Sequence, residues 1–194
     1  MPSGYTPKVY REQGGARLAV ASGGELDIES GGSFKLDGTA IAATAAEINR
    51  AADTSARIVN LTAATLAVTE ALHDGKVITV NKADGTAITL PAATGSGTNL
   101  HFILGTTITS VGSTIKVTGN DTMTGQAILA QDAADTAVAF ETAADSDTIT
   151  LNGTTTGGLK GDSIELIDIA TDLWWVRIRA AATGTEATPF SATV

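Results

Sequence analysis

Apolar residues alternate with polar ones over most of the chain, and a period of two residues is typical of β-strands with one covered face. The alternation is clearest in residues 15–38, which fall into three groups of eight: GARLAVAS, GGELDIES and GGSFKLDG. Each group carries two apolar residues separated by one position, so both side chains share one strand face. These six residues are Leu18, Val20, Leu26, Ile28, Phe34 and Leu36. Glycine pairs between the groups favour tight turns.

The repeat predicts a stem of short strands that cannot cover its own apolar face. A small isolated sheet of this kind is only marginally stable in water. Three copies around a threefold axis would bury the six side chains together in a trimeric β-prism. The alternative is a meander that packs on the rest of the same chain. We expect residues 15–38 to be a trimerisation stem and the protein to be a homotrimer.

The residues that flank the stem predict an arm and a connector. Two prolines and two glycines in residues 1–14 favour an extended arm, in which Tyr5, Val9 and Tyr10 could contact the surface of a neighbouring protein. A disordered terminus is the alternative. In the connector, residues 39–61, Thr44 and Glu47 have the spacing of a capping box and predict a short helix over residues 45–52.

From residue 56 onwards the alternation returns and predicts a larger β-domain. The candidate strands are residues 57–61, 65–69, 76–81, 86–90, 100–104, 114–118, 137–141, 148–152, 163–169 and 174–179. Short strands separated by regular turn signals are typical of an antiparallel β-sandwich or barrel. We expect residues 62–185 to form this domain, and residues 186–194 to be a tail that packs on a neighbour or hangs free. The predicted fold class is therefore mainly β.

Composition and charge exclude several classes of function. The formal net charge is -9, and the 12 basic residues are scattered, so the chain lacks the basic surface that nucleic-acid binding requires. No run of about 18 apolar residues predicts a membrane span. The first residues lack the apolar core of a secretory signal. There are no cysteines, so disulfides and thiol chemistry are excluded.

The candidates for chemistry have simpler structural interpretations. His73 and His101 are not in a metal-binding spacing, and we expect both to be structural. The glycine-rich stretch 153–163 does not fit a phosphate-binding loop, because Lys160 is followed by glycine. No nucleophile motif is present. The sequence therefore predicts no enzyme, no cofactor and no catalytic residue.

Two further groups of residues have more than one interpretation. Five acidic residues crowd one region and predict a solvated face, with calcium binding or glycan cleavage as alternatives. They are Asp132, Asp135, Glu141, Asp145 and Asp147. Trp174 and Trp175 are adjacent and would face opposite sides of a strand. We expect one to fill the core and the other to meet a subunit or a host glycan.

Three segments resemble the head-decoration and head-fibre proteins of tailed bacteriophages, which act as capsid cement. They are residues 72–128, from LHDGKVITV to MTGQAI, residues 161–185, GDSIELIDIATDLWWVRIRAAATGT, and the GG-repeat stem followed by TAIAATAAEINRAAD. In order, they cover nearly the whole chain after residue 14.

This resemblance implies a structural, non-enzymatic protein on the outer surface of a phage head. It implies a homotrimer at the threefold or quasi-threefold axes, with the N-terminal part bound to the major capsid protein and the β-domain projecting. Each trimer would bridge adjacent capsomers against the pressure of packed DNA. The alternative is a phage fibre or tail protein that binds a host surface glycan.

Overall fold

The computed structural model describes residues 9–11, 14, 18–52, 57–132 and 135–193. The chain divides into two compact units, residues 1–52 and residues 53–194, which we call the N-terminal and C-terminal units. Strands make up most of the regular structure of the described chain, so the predicted mainly-β class is confirmed.

The N-terminal unit contains two short hairpins. Strand β1 (Val9–Arg11) pairs antiparallel with β2 (Leu18–Val20), and β3 (Lys35–Leu36) pairs antiparallel with β4 (Thr39–Ala40). The β3–β4 connection consists of Asp37 and Gly38, with φ of 48° and 77°. Positive φ at both central residues is typical of a type I′ hairpin, and the Asp-Gly pair suits that turn.

The predicted turns of the stem are present, but its middle strand is not. The N–H of Gly24 donates to the carbonyl of Ala21 at 2.8 Å, and the N–H of Gly32 donates to Glu29 at 2.9 Å. The glycines before the two donors have φ of 74° and 87°. The turns therefore repeat every eight residues. The prediction of a strand through Leu26 was wrong, because this segment alternates but pairs with no other strand in the described part of the chain.

The predicted helix forms α1 (Ala45–Ala52) and begins at a capping box. The Thr44 N–H donates to Glu47 Oε2 at 2.7 Å, and the Glu47 N–H donates to Thr44 Oγ1 at 3.3 Å. Two backbone donors at the helix start are satisfied in this way. The capping prediction is confirmed.

The C-terminal unit forms two open sheets. Its described elements are β5 (Ile58–Leu61), β6 (Thr65–Ala67), α2 (Glu70–His73), β7 (Val77–Val80), β8 (Ala87–Thr89), β9 (Asn99–Leu104), β10 (Ser113–Lys116), β11 (Thr122–Gln131), β12 (Ala137–Glu141), β13 (Thr148–Leu151), β14 (Ser163–Ala170), β15 (Leu173–Ala182) and β16 (Phe190–Ser191). The larger sheet has the order β12-β11-β15-β14-β9-β7-β5, and the smaller has the order β16-β13-β10-β8-β6.

The sheets are mixed, so the expectation of a purely antiparallel domain was wrong. Strands β5 to β10 alternate between the two sheets, so each of β6 to β9 serves as the crossover between two neighbouring strands of the other sheet. This winding makes β5, β7 and β9 parallel, and likewise β6, β8 and β10. Later strands add antiparallel pairs, and β11 pairs parallel with β15. No closed barrel forms among the described strands, because both sheets keep free edges.

A single hydrophobic core contains residues of both sheets, as expected of a sandwich. Trp174, Phe102 and Ile78 of the larger sheet and Ile88 and Ile149 of the smaller one are almost completely buried. Alternate residues of each strand point into this core, which is the period of two seen in the sequence.

The two ends of the predicted β-domain extend further than the sequence indicated. Strand β5, which ends the predicted connector, is an edge of the larger sheet. In the predicted tail, Phe190 is buried and pairs with Ile149 of β13. This part of the tail therefore packs on its own chain, and the expectation that it hangs free or packs on a neighbour was wrong. Helices α1 and α2 have eight and four residues, so within the described ranges neither approaches the length of a membrane-spanning helix.

Candidate functional site

The six apolar side chains of the predicted stem are all exposed in the single chain. Between 44% and 60% of the surface of each is accessible to solvent. Leu18 and Val20 share one face of β2, Leu36 lies in β3, and Leu26 and Ile28 lie between the turns. Ile41 and Ile48, which follow the stem, are also exposed. The N-terminal unit therefore carries its apolar residues at the surface over its described length.

Charged residues are interleaved with the exposed apolar ones. Glu25 and Asp27 alternate with Leu26 and Ile28, and all four are exposed. One side of the segment therefore carries acidic side chains, and the opposite side carries apolar ones. Such an arrangement suits a contact whose apolar side is covered by another surface.

The arm residues lie partly outside the described chain. Tyr5 is outside the described residues. Val9 and Tyr10 lie in β1, whose backbone pairs with Val20 and Ala19 of β2. The side chains of Val9 and Tyr10 are likewise outside what the structure describes, so the predicted capsid contact stays a prediction.

The two tryptophans face opposite sides of β15, as expected. Trp174 is fully buried in the core, which excludes it as a surface contact. Trp175 is half-buried on the outer face of the larger sheet, and the Arg177 guanidinium lies 5.6 Å from its ring centroid. Arg177 also forms an ion pair with Glu165 of β14. His101 of β9 lies directly opposite Glu165 in the sheet. The outer face therefore carries the Trp175 ring beside the ion pair of Arg177 and Glu165.

The other histidine has a structural position. His73 ends helix α2 and is buried. Its Nδ1 lies 3.0 Å from the backbone N–H of Thr69. The ring therefore holds the start of its own helix.

The acidic residues of the region 132–147 are not assembled into a metal site. No group of three or more Asp, Glu, His or Cys side chains within the described ranges could hold a metal ion. Asp147 is buried, and its Oδ1 accepts hydrogen bonds from the Thr148 hydroxyl at 2.7 Å and the Thr193 N–H at 2.9 Å. It fastens the C-terminal segment to β13. Glu141 lies at the exposed end of β12.

Buried aspartates that hold loops are a feature that sequence reasoning missed. Asp168 accepts hydrogen bonds from the backbone N–H groups of Thr94, Gly95 and Ser96 at 2.9, 2.7 and 3.0 Å. Burial raises the pKa of Asp168, but these hydrogen bonds lower it more, so its net pKa is lowered. The one signal in the sequence SIELIDIA is spacing: Asp168 lies two and four residues after Leu166 and Ile164 and so shares their face of the strand, although isoleucines flank it on both sides.

Asp162 plays a similar part where β14 begins. Its Oδ2 accepts the N–H groups of Gly158 and Leu159 at 2.7 and 2.9 Å, and its Oδ1 accepts the N–H of Ala181 at 2.9 Å. Here burial outweighs the hydrogen bonds and raises the pKa. Asp121 likewise accepts the N–H of Ala93 at 2.7 Å. These carboxylates are occupied by backbone donors, so their arrangement serves to hold loops in place.

A shallow depression of about 460 Å³ lies over the strands next to Asp162. Small or apolar side chains form most of its lining, together with Arg179. The lining residues are Ile128, Ala130, Gly161, Asp162, Arg179, Ala180 and Ala181. The depression is open to solvent and has one carboxylate, which is already bound to the backbone. Its surface is suited to an apolar contact.

Comparison with known proteins finds no relative: no family model, no curated protein and no solved structure matches the chain.

Proposed function

We propose that the protein is a structural protein of a virus particle: a homotrimer that decorates and cements the head of a tailed double-stranded DNA bacteriophage. The observation that carries the proposal is the exposure of all six apolar side chains of the repeat stem. The resemblance of the stem, of residues 72–128 and of residues 161–185 to phage head-decoration proteins supplies the biological setting.

The stem favours association because its six apolar side chains are left exposed by the described part of the N-terminal unit. Full burial of a large apolar side chain stabilises by about 1.5–3 kcal/mol. Since these side chains are about half exposed, covering the remainder contributes roughly 1 kcal/mol each, or roughly 6 kcal/mol per chain. Three copies that share this face would gain that contribution three times over. Each association step costs about 4–15 kcal/mol, and the gain from covering the stem offsets this cost and favours assembly.

A threefold assembly also explains how a weak arm could hold the protein on a head. Three arms on one trimer bind together, and their combined affinity far exceeds that of one arm. The major capsid protein is the expected partner. The acidic charge of the chain, -9, keeps an abundant surface protein soluble and away from DNA.

The test is addition of the purified protein to phage heads that lack their decoration. We expect saturable binding at a fixed number of trimers per head, and a rise in the temperature at which the heads release DNA. A variant with residues 1–14 removed should bind far more weakly. Full binding by the truncated protein would overturn the role of the arm, and no binding by the intact protein would overturn the proposal.

Glycan binding is the second candidate, and the position of Trp175 favours it. Trp175 lies on the outer face beside Arg177 and Glu165, where an aromatic ring and hydrogen-bonding groups are adjacent. Sugar rings stack on such aromatic surfaces. Binding of host surface polysaccharide that is lost in Trp175→Ala would favour this function over cementing.

A further inference from the structure

Among the strands that the structure describes, β12 (Ala137–Glu141) is a free edge of the larger sheet. It pairs with β11 on one side and is the last strand in the sheet order. The N–H of Gln131 donates to the carbonyl of Thr136, and the N–H of Thr142 donates to the carbonyl of Gly125, each at 3.1 Å. These two bonds fix the alternation of the antiparallel ladder. Val138 and Phe140 therefore direct their backbone groups towards β11, and Ala137, Ala139 and Glu141 direct theirs outwards.

The strands at the other edges of the two sheets are shorter than β12, and β5 has four residues. Strand β16 has two residues and β6 has three. In β5, the Asn60 side chain accepts a hydrogen bond from Asn81 Nδ2 at 2.7 Å. Short strands and polar side chains at an edge hinder pairing with further strands.

Strand β12 lacks these protections. It has five residues with the sequence AVAFE, and it contains no proline, lysine or arginine. Its register with β11 is regular from Ala137 to Glu141, without a bulge. The one charged side chain is that of Glu141, at the end of the strand. A regular edge of this length, with its only charge at one end, is a template for another strand.

The side chains of β12 are also incompletely covered. Val138 lies opposite Leu129, and Phe140 lies opposite Ala127, so both point to the core face of the sheet. Phe140 packs at the margin of the core, and both side chains are half-exposed. On the opposite face, Ala137 and Ala139 are small and exposed. A further strand beside β12 would cover the apolar flank without steric conflict on the other face.

We infer that β12 pairs antiparallel with β12 of a second copy, about a twofold axis at Ala139. In this register Ala139 lies opposite its own counterpart, and Val138 of each copy lies opposite Phe140 of the other. Each outward-facing residue exchanges hydrogen bonds with the residue opposite it. The contact joins the two larger sheets into one continuous sheet.

The side chains select this register over its neighbours. Valine opposite phenylalanine is a favourable cross-strand pair. Glu141 lies opposite Ala137, so the two carboxylates are at opposite ends of the contact. A shift that centred the axis on Glu141 would place the two carboxylates against each other, which is destabilising. A shift that centred it on Ala137 would bring Asp135 opposite Ala139. An axis at Val138 would place Asp135 of each copy opposite Glu141 of the other, and an axis at Phe140 would pair only three residues of each strand. An axis at Ala139, the middle of the strand, pairs all five residues and keeps the carboxylates apart.

This contact is independent of the threefold stem. A twofold contact between identical strands cannot be made within a threefold ring, so it would join separate trimers. If the stem does not trimerise, the same contact joins two single chains. The two interfaces can therefore be tested separately in the full-length protein.

The test is disulfide formation by single cysteines. The chain has no cysteine of its own, so Ala139→Cys and Ala137→Cys each introduce one thiol. Across the twofold axis the Cα atoms of residue 139 would be about 5.5 Å apart, which suits a disulfide. Those of residue 137 would be about 14 Å apart, since the two positions differ by four residues along the strand. Ala137 lies on the same face of β12 as Ala139 and is also exposed, so Ala137→Cys is the matched control.

We expect Ala139→Cys to form a disulfide-linked dimer rapidly, and Ala137→Cys to form little or none. In the proposed register residue 137 lies opposite residue 141, so a mixture of Ala137→Cys and Glu141→Cys should form the mixed disulfide. Equal rates for the two single variants would indicate random collision and overturn the inference. Absence of pairing by Ala139→Cys would also overturn it.

A second variant tests the contact without oxidation. Ala139→Pro removes an outward-facing N–H and leaves the ladder with β11 intact. We expect the mass of the wild-type protein to rise with concentration above that of its smallest stable species, and Ala139→Pro to keep the mass of that smallest species. The N–H of Val138 faces β11, so Val138→Pro removes a hydrogen bond of the sheet and should instead lower the thermal unfolding temperature. Identical mass-against-concentration curves for wild type and Ala139→Pro would contradict the inference, whether the smaller species is a single chain or a trimer.

Discussion

The Oδ1 atom of Asp168 accepts a hydrogen bond from the backbone N–H of Gly95 at 2.7 Å, although 73 positions separate the two residues in the sequence. The same carboxylate accepts the N–H groups of Thr94 and Ser96. It therefore fastens the loop before β9 to the far end of β14. Asp168 is almost completely buried, so these backbone donors replace the water that would otherwise solvate its charge.

Replacement of Asp168 by asparagine should destabilise the C-terminal unit. The change removes the charge and turns an amide N–H₂ towards backbone donors, and we expect a loss of about 3 kcal/mol in the free energy of unfolding. Urea denaturation at neutral pH measures it. Asp172→Asn is the control, because Asp172 is exposed with φ of 61°, a conformation that asparagine tolerates. Equal stability of the two variants would contradict the role of Asp168.

The stabilisation by Asp168 should depend on pH. Its folded-state pKa is lowered from 3.8: burial raises it, and the hydrogen bonds from Thr94, Gly95 and Ser96 lower it more. Because the pKa is lower in the folded state than in the unfolded state, ionised Asp168 stabilises the fold at pH values above the unfolded-state pKa. This stabilisation is lost as the pH falls through the folded-state pKa. The difference in unfolding free energy between wild type and Asp168→Asn should therefore shrink below pH 3.8.

Asp162 should show the opposite trend. Burial raises its folded-state pKa above 3.8, so its protonated form is favoured in the fold. The stabilisation by protonated Asp162 is fully present at pH values below its unfolded-state pKa. It is lost as the pH rises through the raised folded-state pKa. The unfolding free energy of wild type minus that of Asp162→Asn should therefore decrease with rising pH. Parallel pH profiles for the Asp162 and Asp168 variants would show that the two environments do not differ as described.

Glycine is required at position 125, where β11 passes close to β15. Its φ is 150°, and a Cβ atom there would lie 1.9 Å from the carbonyl oxygen of Val176. Gly125→Ala should therefore cost about 3 kcal/mol or more, since the backbone of β11 or β15 must shift. Gly119 also has positive φ but has open space around it, so Gly119→Ala should cost only about 1 kcal/mol. Chemical denaturation compares the two, and equal costs would contradict the close approach of the strands.

The two tryptophans should differ in stability and in fluorescence. Trp174→Ala leaves a cavity in the core and should cost about 3–5 kcal/mol, whereas Trp175→Ala should cost far less. In Trp175→Phe the remaining Trp174 should emit at short wavelength and resist acrylamide quenching. In Trp174→Phe the remaining Trp175 should be quenched readily. Equal quenching in the two variants would show that the side chains do not face opposite sides of β15.

Much of the local structure could be predicted from the sequence because local residues determine it. The capping box of Thr44 and Glu47 places the start of α1, and the glycine pairs place the stem turns. The bounds of several strands, such as β14, were predicted within a residue or two. Side-chain period reports which residues of a strand share a face, as it does for Trp174 and Trp175.

The parts that were missed depend on contacts between distant residues. Strand β11 was not predicted, because TMTGQAILAQ contains a glycine and several polar residues; its pairing along the whole of β15 stabilises it. Parallel pairing was missed, because alternation carries no information on strand direction. The carboxylate of Asp168 lies 73 residues from its main partner, and no local pattern marks such a contact.

Substitution in the stem should weaken association without unfolding the C-terminal unit. Leu36 and Leu72 have similar exposure, 60% and 62%, but only Leu36 belongs to the stem. Leu36→Ser should therefore raise the concentration at which the assembly dissociates, while Leu72→Ser should not. Sedimentation equilibrium measures both. An equal effect of the two substitutions would show that the stem is not the associating surface.

The mass of the full-length protein in solution tests the proposed assembly most directly. Light scattering over a range of concentrations gives the mass of the smallest stable species. Burial of the exposed stem in a threefold assembly predicts about three times the chain mass of 19.5 kDa. A folded protein that remains a single chain of 19.5 kDa at every concentration would contradict it.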